Sequence, residues 1–356
     1  MPHLIVDISG HGFGHAGQVI PVVRDLFAAL PDVQVTLRSA VPRDVLARHV
    51  GRDLPVAAPP ADIGLAMTGP MDVDVPASAA AYAALHADFP AVVAREAERL
   101  AALAPDLLLA DVPYSSIAAA ARIGVPAVAL CSLNWLDAYQ AYCADRPEAG
   151  RIAADIRAAY AAARLFLQPR PHTAMRELAN TRSIPPICRI GTDRRADLRA
   201  RLGVDAGTEL VAVGFGGLPG AAVVDLPRLP GVVWVQANAP AGRDDIVELA
   251  AGGLDFADLA ASVDLVVTKS GYGTLCETLA AGTRLLMVSR PDWPEDAAMR
   301  AWLARHGTAA AIPRAEATPD GLARGVRDLL ARPRGVPVQP DGRPAAVSAL
   351  RGFLCA

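Results

Sequence analysis

The chain has 356 residues, a formal net charge of −3, 53% hydrophobic residues and only 5% aromatic ones. That length exceeds one ordinary core and points to two domains, and the balanced charge argues against a surface built for a nucleic-acid polyanion. The hydrophobic excess is largely alanine, and no run approaches the roughly 18–20 apolar residues that a bilayer span needs. The opening Met1-Pro2-His3-Leu4-Ile5-Val6-Asp7 enters a strand directly, without the charged start and cleavage site of a signal peptide. Cys131, Cys143, Cys188, Cys276 and Cys355 are scattered and odd in number, so neither a disulfide framework nor a zinc site is expected. The cytoplasm is the expected compartment.

Leu4–Ile8 reads as a buried strand, because its apolar residues run continuously instead of alternating. It leads through Ser9-Gly10-His11-Gly12-Phe13-Gly14-His15-Ala16-Gly17 into an amphipathic helix from about Gln18 to Leu30. Val33–Leu37 and Leu54–Ala57 are strands on either side of a helix, Val41–Val50. Residues 58–76, rich in Pro, Gly, Asp and Met, form a loop long enough to suggest function. Ala77 to Leu103 is helical, interrupted by Pro90. Asp106–Ala110 and Val125–Leu130 are strands joined by the helix Ser115–Arg122. Asn134–Tyr142 and Arg151–Ala163 are helices, and Arg164–Leu167 is a closing strand.

Prolines at 169, 171, 185 and 186 weaken the pattern between Gln168 and Asp193, and the domain boundary is placed there. The second half repeats the opening plan. Glu209–Val213 is a strand, Gly214–Gly220 a Gly-rich turn, and Val232–Gln236 a strand. Phe256–Ser262 is a short helix before the strand Asp264–Thr268. Ser270 to Thr274 then turns into a helix from Leu275 that Gly282 stops. Arg284–Val288 and Ala309–Ile312 are strands, and Glu295–His306 and Asp320–Ala331 are helices. The expected organisation is an α/β chain with an N-terminal domain (1–168) and a C-terminal domain (169–335). Residues 336–356 form a linker and last short helix with the option of returning to the N-terminal domain. Alternating strands and helices mark parallel sheets in two Rossmann-like domains facing across a cleft, with ligands at the carboxyl ends of the strands.

Lys269 is the only lysine in the chain; every other one of the 34 Lys and Arg residues is arginine. It precedes a strand-to-helix turn whose N–H groups and helix dipole suit a phosphate. With the Gly214–Gly220 turn, this strand end can wrap a diphosphate and stabilise the charge on a departing nucleoside diphosphate without a metal. Glu277 falls about one helical turn in, where a carboxylate can accept from ribose hydroxyls. In the first half, Gly12-x-Gly14-x-x-Gly17 formally matches a dinucleotide fingerprint. Such a match needs an acid at the end of the second strand; Arg38 stands there, which leaves open an NADP-binding oxidoreductase. His11 and His15 lie inside these glycines and off any apolar helical face, and imidazole suits proton transfer near neutral pH. Asp111 ends a buried strand, where it can bind a sugar hydroxyl, orient a histidine or cap the next helix. Asp72-Val73-Asp74 has the form of a metal-binding DxD but lacks an evident third ligand, so no metal is expected.

These motifs resemble the nucleotide-sugar glycosyltransferases of the GT-B fold, nearest to the glycosyltransferase-like half of arabinokinases and its free-standing bacterial relatives. A more distant similarity is to the N-acetylglucosaminyltransferase of peptidoglycan synthesis. The resemblance runs in order through Gly12 to Ala16, Asp62-Ile63-Gly64-Leu65, Asp74, Asp111-Val112-Pro113, Ser132-Leu133-Asn134-Trp135, Gly214 to Gly217 and Lys269 to Glu277. It implies that Gly216, Gly217, Lys269, Ser270, Gly271, Tyr272, Gly273 and Thr274 hold the donor diphosphate. It further implies that Glu277 holds the ribose, that the segment at Phe256 meets the base, and that Glu295 and Asp296 face the donor sugar. His15 becomes the candidate general base with Asp111 beside it, and His11, Phe13, Gly14, Asp74, Asn134 and Trp135 line the acceptor side. Relatives tend to carry Glu/Asp-Gln where this chain has Glu295-Asp296, and arginine where it has Gln18.

The expected function is metal-independent transfer of a sugar from a nucleoside-diphosphate donor, UDP among the candidates, to a hydroxyl acceptor. The donor is a co-substrate and no cofactor is expected; the partners are small molecules. A nucleotide-sugar hydrolase or epimerase and a non-catalytic sugar-nucleotide-binding protein are the alternatives. No motif addresses oligomeric state.

Overall fold

The computed structural model describes residues 1–12, 14–215, 224–248 and 253–355. The chain divides into two compact units. The first comprises Met1–Thr68, Asp72–Ile187 and Asp341–Ala356, and the second Gly69–Met71 with Cys188–Pro340.

In the first unit, continuous apolar runs form β1 (His3–Ile8), β2 (Gln34–Ser39), β3 (Val56–Ala57), β4 (Leu107–Ala110), β5 (Ala127–Leu130) and β6 (Leu165–Pro169), joined at the edge by β7 (Thr181–Ile184). They pair in parallel in the order β3-β2-β1-β4-β5-β6-β7. Helices α1 (Gly14–Ala29), α2 (Arg43–Val50), α3 (Val75–Leu85), α4 (Phe89–Ala101), α5 (Tyr114–Arg122), α6 (Trp135–Cys143) and α7 (Ala149–Ala161) make the connections. Such strands read as unbroken hydrophobic runs because helices cover both faces of a parallel sheet. The stretch expected as one helix from Ala77 to Leu103 is two, since Asp88 accepts from the Ala91 N–H at 3.1 Å and caps a new start with Pro90 in its first turn.

The boundary expected after residue 168 falls inside the first unit. Phe166–Pro169 pairs in register with Thr181–Ile184, so Pro169 ends β6, and Pro185 and Pro186 follow the edge strand β7, past the last ladder position. The last helix, Gly342–Leu354, also belongs to the first unit. Its Ala346, Val347 and Leu350 enter the core formed by β1, β2 and α1. Gly342 permits this approach: a Cβ there would stand 2.2 Å from the Pro185 carbonyl oxygen.

The second unit opens with α8 (Arg195–Leu202) and contains β8 (Glu209–Gly214), β9 (Val232–Gln236), β10 (Ile246–Glu248), β11 (Leu265–Lys269), β12 (Arg284–Ser289) and β13 (Ala309–Pro313). The order is β10-β9-β8-β11-β12-β13, again parallel throughout. Between the later strands lie Phe256–Ser262, Tyr272–Ala280 and Asp296–Leu303, here α9, α10 and α11; α12 is Pro319–Leu330 and α13 is Gly342–Leu354. Helix α8 and strand β10 were not expected. Half of α8 is charged and it buries only Leu198, and β10 has three residues, so neither carries a readable period. No described helix is long and apolar enough to cross a membrane.

Candidate functional site

In the first sheet the strand order reverses between β1 and β4, the place where open parallel sheets bind ligands. Both candidate catalytic residues stand there. Gly12, at φ 84°, turns the chain after β1 through the left-handed region that glycine tolerates, and the helix starts at Gly14, not Gln18. His15 is thereby in the first turn of α1. Asp111 follows β4, and its Oδ2 lies 2.8 Å from His15 Nδ1. Its Oδ1 accepts from the N–H groups of Ser9 at 3.0 Å and Val112 at 2.6 Å. The capping alternative for Asp111 fails, because α5 starts after Pro113 with no side-chain cap. Burial disfavours the charged imidazole, but the charge and hydrogen bond of Asp111, helped by Cys131, carry His15 well above its ordinary 6.5. With Nδ1 held by the carboxylate, Nε2 is the nitrogen left to exchange a proton.

Around this pair the structure gathers residues from distant parts of the chain. The Trp135 ring stands 5.6 Å from that of His15 and 5.3 Å from that of His11, and the two imidazole rings are 6.4 Å apart. The Trp135 indole N–H donates to Asp62 Oδ1 at 3.0 Å, and Ser9 Oγ donates to Asp62 Oδ2 at 2.5 Å. Asp62 therefore pins the long loop to the end of β1; burial pushes its carboxyl up to about 6 against the pull of the Ser9 bond. In the sequence Asp62 has no assignable role, since a lone loop carboxylate carries no period. Its position in a loop of unusual length was the available signal.

Three residues expected on the acceptor side are engaged by the protein itself. Asp74 accepts from the Ala77 N–H at 2.9 Å and caps α3, while Asn134 accepts from the Asp137 N–H at 2.7 Å and caps α6. Trp135 is fully buried, so it walls the imidazoles instead of offering a face to a ligand. Gln18 is also buried: Ser132 N–H donates to its Oε1 at 2.9 Å and its Nε2 donates to Ser132 Oγ at 3.2 Å, which fixes the loop carrying Trp135. Arg38, expected to meet a 2′-phosphate if the ligand were NADP, is buried and bound to Glu96, with Asp7 at 3.5 Å. Gly14 has open space where a Cβ would stand. Phe13 lies outside the described residues.

Gly64 offers a direct test of His11. A Cβ at Gly64 would meet the His11 ring at 2.7 Å, so Gly64→Ala must displace either the imidazole or the loop. The expected cost is about 1–3 kcal/mol in denaturant unfolding. His11→Ala in the same chain is expected to restore most of that loss, a coupling that a double-mutant cycle measures.

In the second sheet the order reverses between β8 and β11. Lys269 closes β11, Ser270-Gly271 makes the turn, and α10 begins at Tyr272 instead of the expected Leu275. Gly273 and Thr274 therefore lie in the helix's first turn, where N–H groups have no acceptor within the helix. Burial, then the charge of Arg290, lowers the Lys269 ammonium to about 8, with Glu295 opposing.

Asp296 was expected to face a donor sugar and instead is a buried clasp. Its Oδ1 accepts from Ser270 Oγ and, at 2.6 Å, from the Arg290 N–H; its Oδ2 accepts from Ser289 Oγ at 2.8 Å and Arg300 Nε at 2.7 Å. Four protein donors hold it, and one of them is the Ser270 hydroxyl. Glu295 is 4% exposed and accepts from the Trp293 indole at 3.1 Å.

Burial pushes Glu277 up to about 7, with Arg189 opposing and Asp255 adding to the rise. Arg189 grips Asp255 with both terminal nitrogens, one at 2.9 Å, and Asp255 caps α9 through the Asp258 N–H at 3.1 Å. The Phe256 ring lies on Gly214 at the end of β8, where a Cβ would stand 2.9 Å from Phe256 Cε2. Gly216 and Gly217 lie outside the described residues. Arg189 and Arg290 are the residues here that sequence reasoning missed, hidden among many arginines. Among the described residues no His, Cys, Asp or Glu cluster is placed to hold a metal ion.

Residues 249–339 match the family model of the glycosyltransferase family 28 C-terminal domain. An L-arabinokinase of Arabidopsis thaliana is 27% identical over 311 residues, which is 82% of this chain and 29% of the plant protein. A UDP-N-acetylglucosamine–N-acetylmuramyl-(pentapeptide) pyrophosphoryl-undecaprenol N-acetylglucosamine transferase of Methylibium petroleiphilum is 37% identical over 98 residues, 26% of each chain. The chain thus spans less than a third of the length of either relative. The solved structure of Arabidopsis thaliana UGT89C1 complexed with UDP superposes with a TM-score of 0.61 at 13% identity, covering 100% of both chains. The fold is GT-B.

Proposed function

We propose that this GT-B chain, whose residues 249–339 match the glycosyltransferase family 28 C-terminal domain, moves a sugar from a nucleoside-diphosphate donor to a hydroxyl acceptor in the cytoplasm. The observation that carries the reading is what stands at the two strand-order reversals. One holds an imidazole paired with a buried carboxylate; the other holds the only lysine beside a helix start.

In the proposed reaction the acceptor oxygen attacks the anomeric carbon as the bond from that carbon to the diphosphate oxygen breaks. His15 Nε2 takes the acceptor proton, and the Asp111 carboxylate stabilises the imidazolium that forms. The negative charge passes to the departing diphosphate. Lys269 and the first-turn N–H groups of α10 meet it there, so the reading assigns no metal. Glu277 is assigned to the ribose hydroxyls and the Phe256 segment to the base. UDP is the donor nucleotide to try first, because UGT89C1 is complexed with it.

Thermal unfolding against a panel of nucleotide sugars tests the reading, since a ligand of the native state raises Tm. A shift by one donor, lost in Lys269→Met, is expected. No shift by any of them sinks the assignment. Conversion of the donor with no acceptor present would replace transfer by hydrolysis or epimerisation.

A further inference from the structure

The segments around His15 are tied to one another through residues the proposed reaction does not use. Asp111, which holds the imidazole with Oδ2, accepts at Oδ1 from the Val112 N–H at 2.6 Å and the Ser9 N–H at 3.0 Å. From there the bonds run on in two arms. In one, the Val112 carbonyl accepts from the Tyr160 hydroxyl at 2.7 Å, and that hydroxyl accepts from the Trp135 backbone N–H at 3.0 Å. In the other, Ser9 Oγ donates to Asp62 Oδ2 at 2.5 Å, and Asp62 Oδ1 accepts from the Trp135 indole at 3.0 Å. The arms meet at Trp135 and close a ring of Asp111, Val112, Tyr160, Trp135, Asp62 and Ser9. All but Asp62 are fully buried. Buried hydrogen bonds in a chain polarise one another, and breaking one leaves buried groups unpartnered. The ring therefore acts as one piece, and the carboxylate that grips His15 is part of it.

We infer that Tyr160 and Asp62 are positioning residues for His15 that act through this ring, Tyr160 by fixing Val112 and with it Asp111, and Asp62 by closing the ring only as a carboxylate. The inference rests on the proposed role of His15 as the base and deepens it. Tyr160 donates its one hydrogen to Val112 and accepts from Trp135. A phenylalanine there leaves a carbonyl and an N–H buried without partners. Val112 is then free to relax, Asp111 loses the shorter of its two backbone bonds, and its grip on the imidazole loosens. Asp62 is the member that titrates. Its oxygens receive the Ser9 hydroxyl and the indole N–H, and an indole can only donate. A proton on the carboxyl competes with one of those donors and opens the ring.

The titratable groups facing Asp62 are Asp111, His15 and the phenols of Tyr82, Tyr114 and Tyr160. Burial raises all three phenols well above their ordinary 10, so Asp111 and His15 are the charges that Asp62 meets. The experiment is an NMR titration of the whole chain, labelled with 15N in histidine and tryptophan, from about pH 5 upward. With seven histidines and four tryptophans in the chain, His15→Gln and Trp135→Phe assign the two signals needed. Wild type is expected to show His15 titrating well above 6.5 and the Trp135 indole signal shifting with a midpoint of about 6. In Tyr160→Phe the His15 midpoint is expected to fall by about half a unit or more, because Asp111 then opposes burial less. In Asp62→Asn the indole step at about 6 is expected to vanish. A merely structural Tyr160 would lower Tm and leave the His15 midpoint in place.

A folded Tyr160→Phe with the wild-type His15 midpoint overturns this inference and leaves the paired base and the donor reading standing, as does an indole step that persists in Asp62→Asn. A wild-type His15 midpoint at or below 6.5 overturns both the inference and the assignment of His15 as a base held by Asp111. Should Tyr160→Phe not fold by circular dichroism, Ser9→Ala decides, since it opens the ring at the hydroxyl and spares the N–H that Asp111 holds. A lowered His15 midpoint there supports the ring, and an unmoved one overturns it.

Discussion

His15→Ala is expected to lower the transfer rate by about 10²- to 10⁴-fold, the usual contribution of a positioned general base, while nucleoside-diphosphate affinity stays at its wild-type value. Asp111→Asn is expected to cost a comparable factor with the imidazole still present. Its effect on pH dependence separates it from a simple structural loss. The base form of His15 is the neutral one, and Asp111 holds the imidazole well above 6.5 against the opposing effect of burial. In wild type kcat/KM should therefore rise with pH through that elevated value. In Asp111→Asn the inflection should move down, because an amide supplies no negative charge, and the plateau should fall. The same pair bears on stability. A folded-state value raised above 6.5 contributes stability that is complete below 6.5 and is lost as pH rises through the raised value. Asp111→Asn should thus lose more stability at the acidic end of that window than above it. A pH–rate profile with an unmoved inflection would remove Asp111 from the role given to it.

Asp296→Ala is the second large effect. The substitution strips the acceptor from the hydroxyls of Ser270 and Ser289 and from the Arg290 N–H, all inside the unit. Buried donors left without acceptors cost about 1–3 kcal/mol apiece before relaxation. A net loss of about 3–5 kcal/mol in denaturant unfolding is expected, the range for breaking a buried charged cluster. Burial favours the neutral acid, but the bonds from Ser270, Arg290, Arg300 and Ser289 outweigh it and hold Asp296 below its ordinary 3.8. Its contribution is therefore present above 3.8 and lost as pH falls through the depressed value, so the variant should differ least from wild type in strong acid. Diphosphate affinity should fall with stability, since the Ser270-Gly271 turn loses its anchor. A folded variant that keeps wild-type affinity would mean that the turn at Ser270-Gly271 holds itself.

Much of the fold was legible because parallel strands covered on both faces are apolar in unbroken runs, as Leu4–Val6 and Leu265–Val267 are. The failures have equally local causes. Thr181–Ile184 alternates weakly at a sheet edge and was hidden by flanking prolines. The two helix starts, Gly14 and Tyr272, were placed three to four residues late, because glycines at Gly14, Gly17 and Gly273 mask a helical period that dipole and tertiary contacts sustain. Those few residues matter: they move His15, Gly273 and Thr274 from loops into first helical turns.

By itself the sequence determined the two α/β halves, the strand ends that carry glycines, and the residues Lys269, His15 and Asp111 as the chemistry to watch. Each of these is a local property, readable from hydrophobic period and turn residues. Partnership was decided only in three dimensions. Asp111 could have capped a helix and Asp296 could have met a sugar; the structure sets the first on His15 and encloses the second among four donors. A carboxylate's role depends on which donors the fold brings within 3 Å of it. His15 and Asp111 lie far apart in the chain, just beyond β1 and β4, strands that only the sheet makes neighbours.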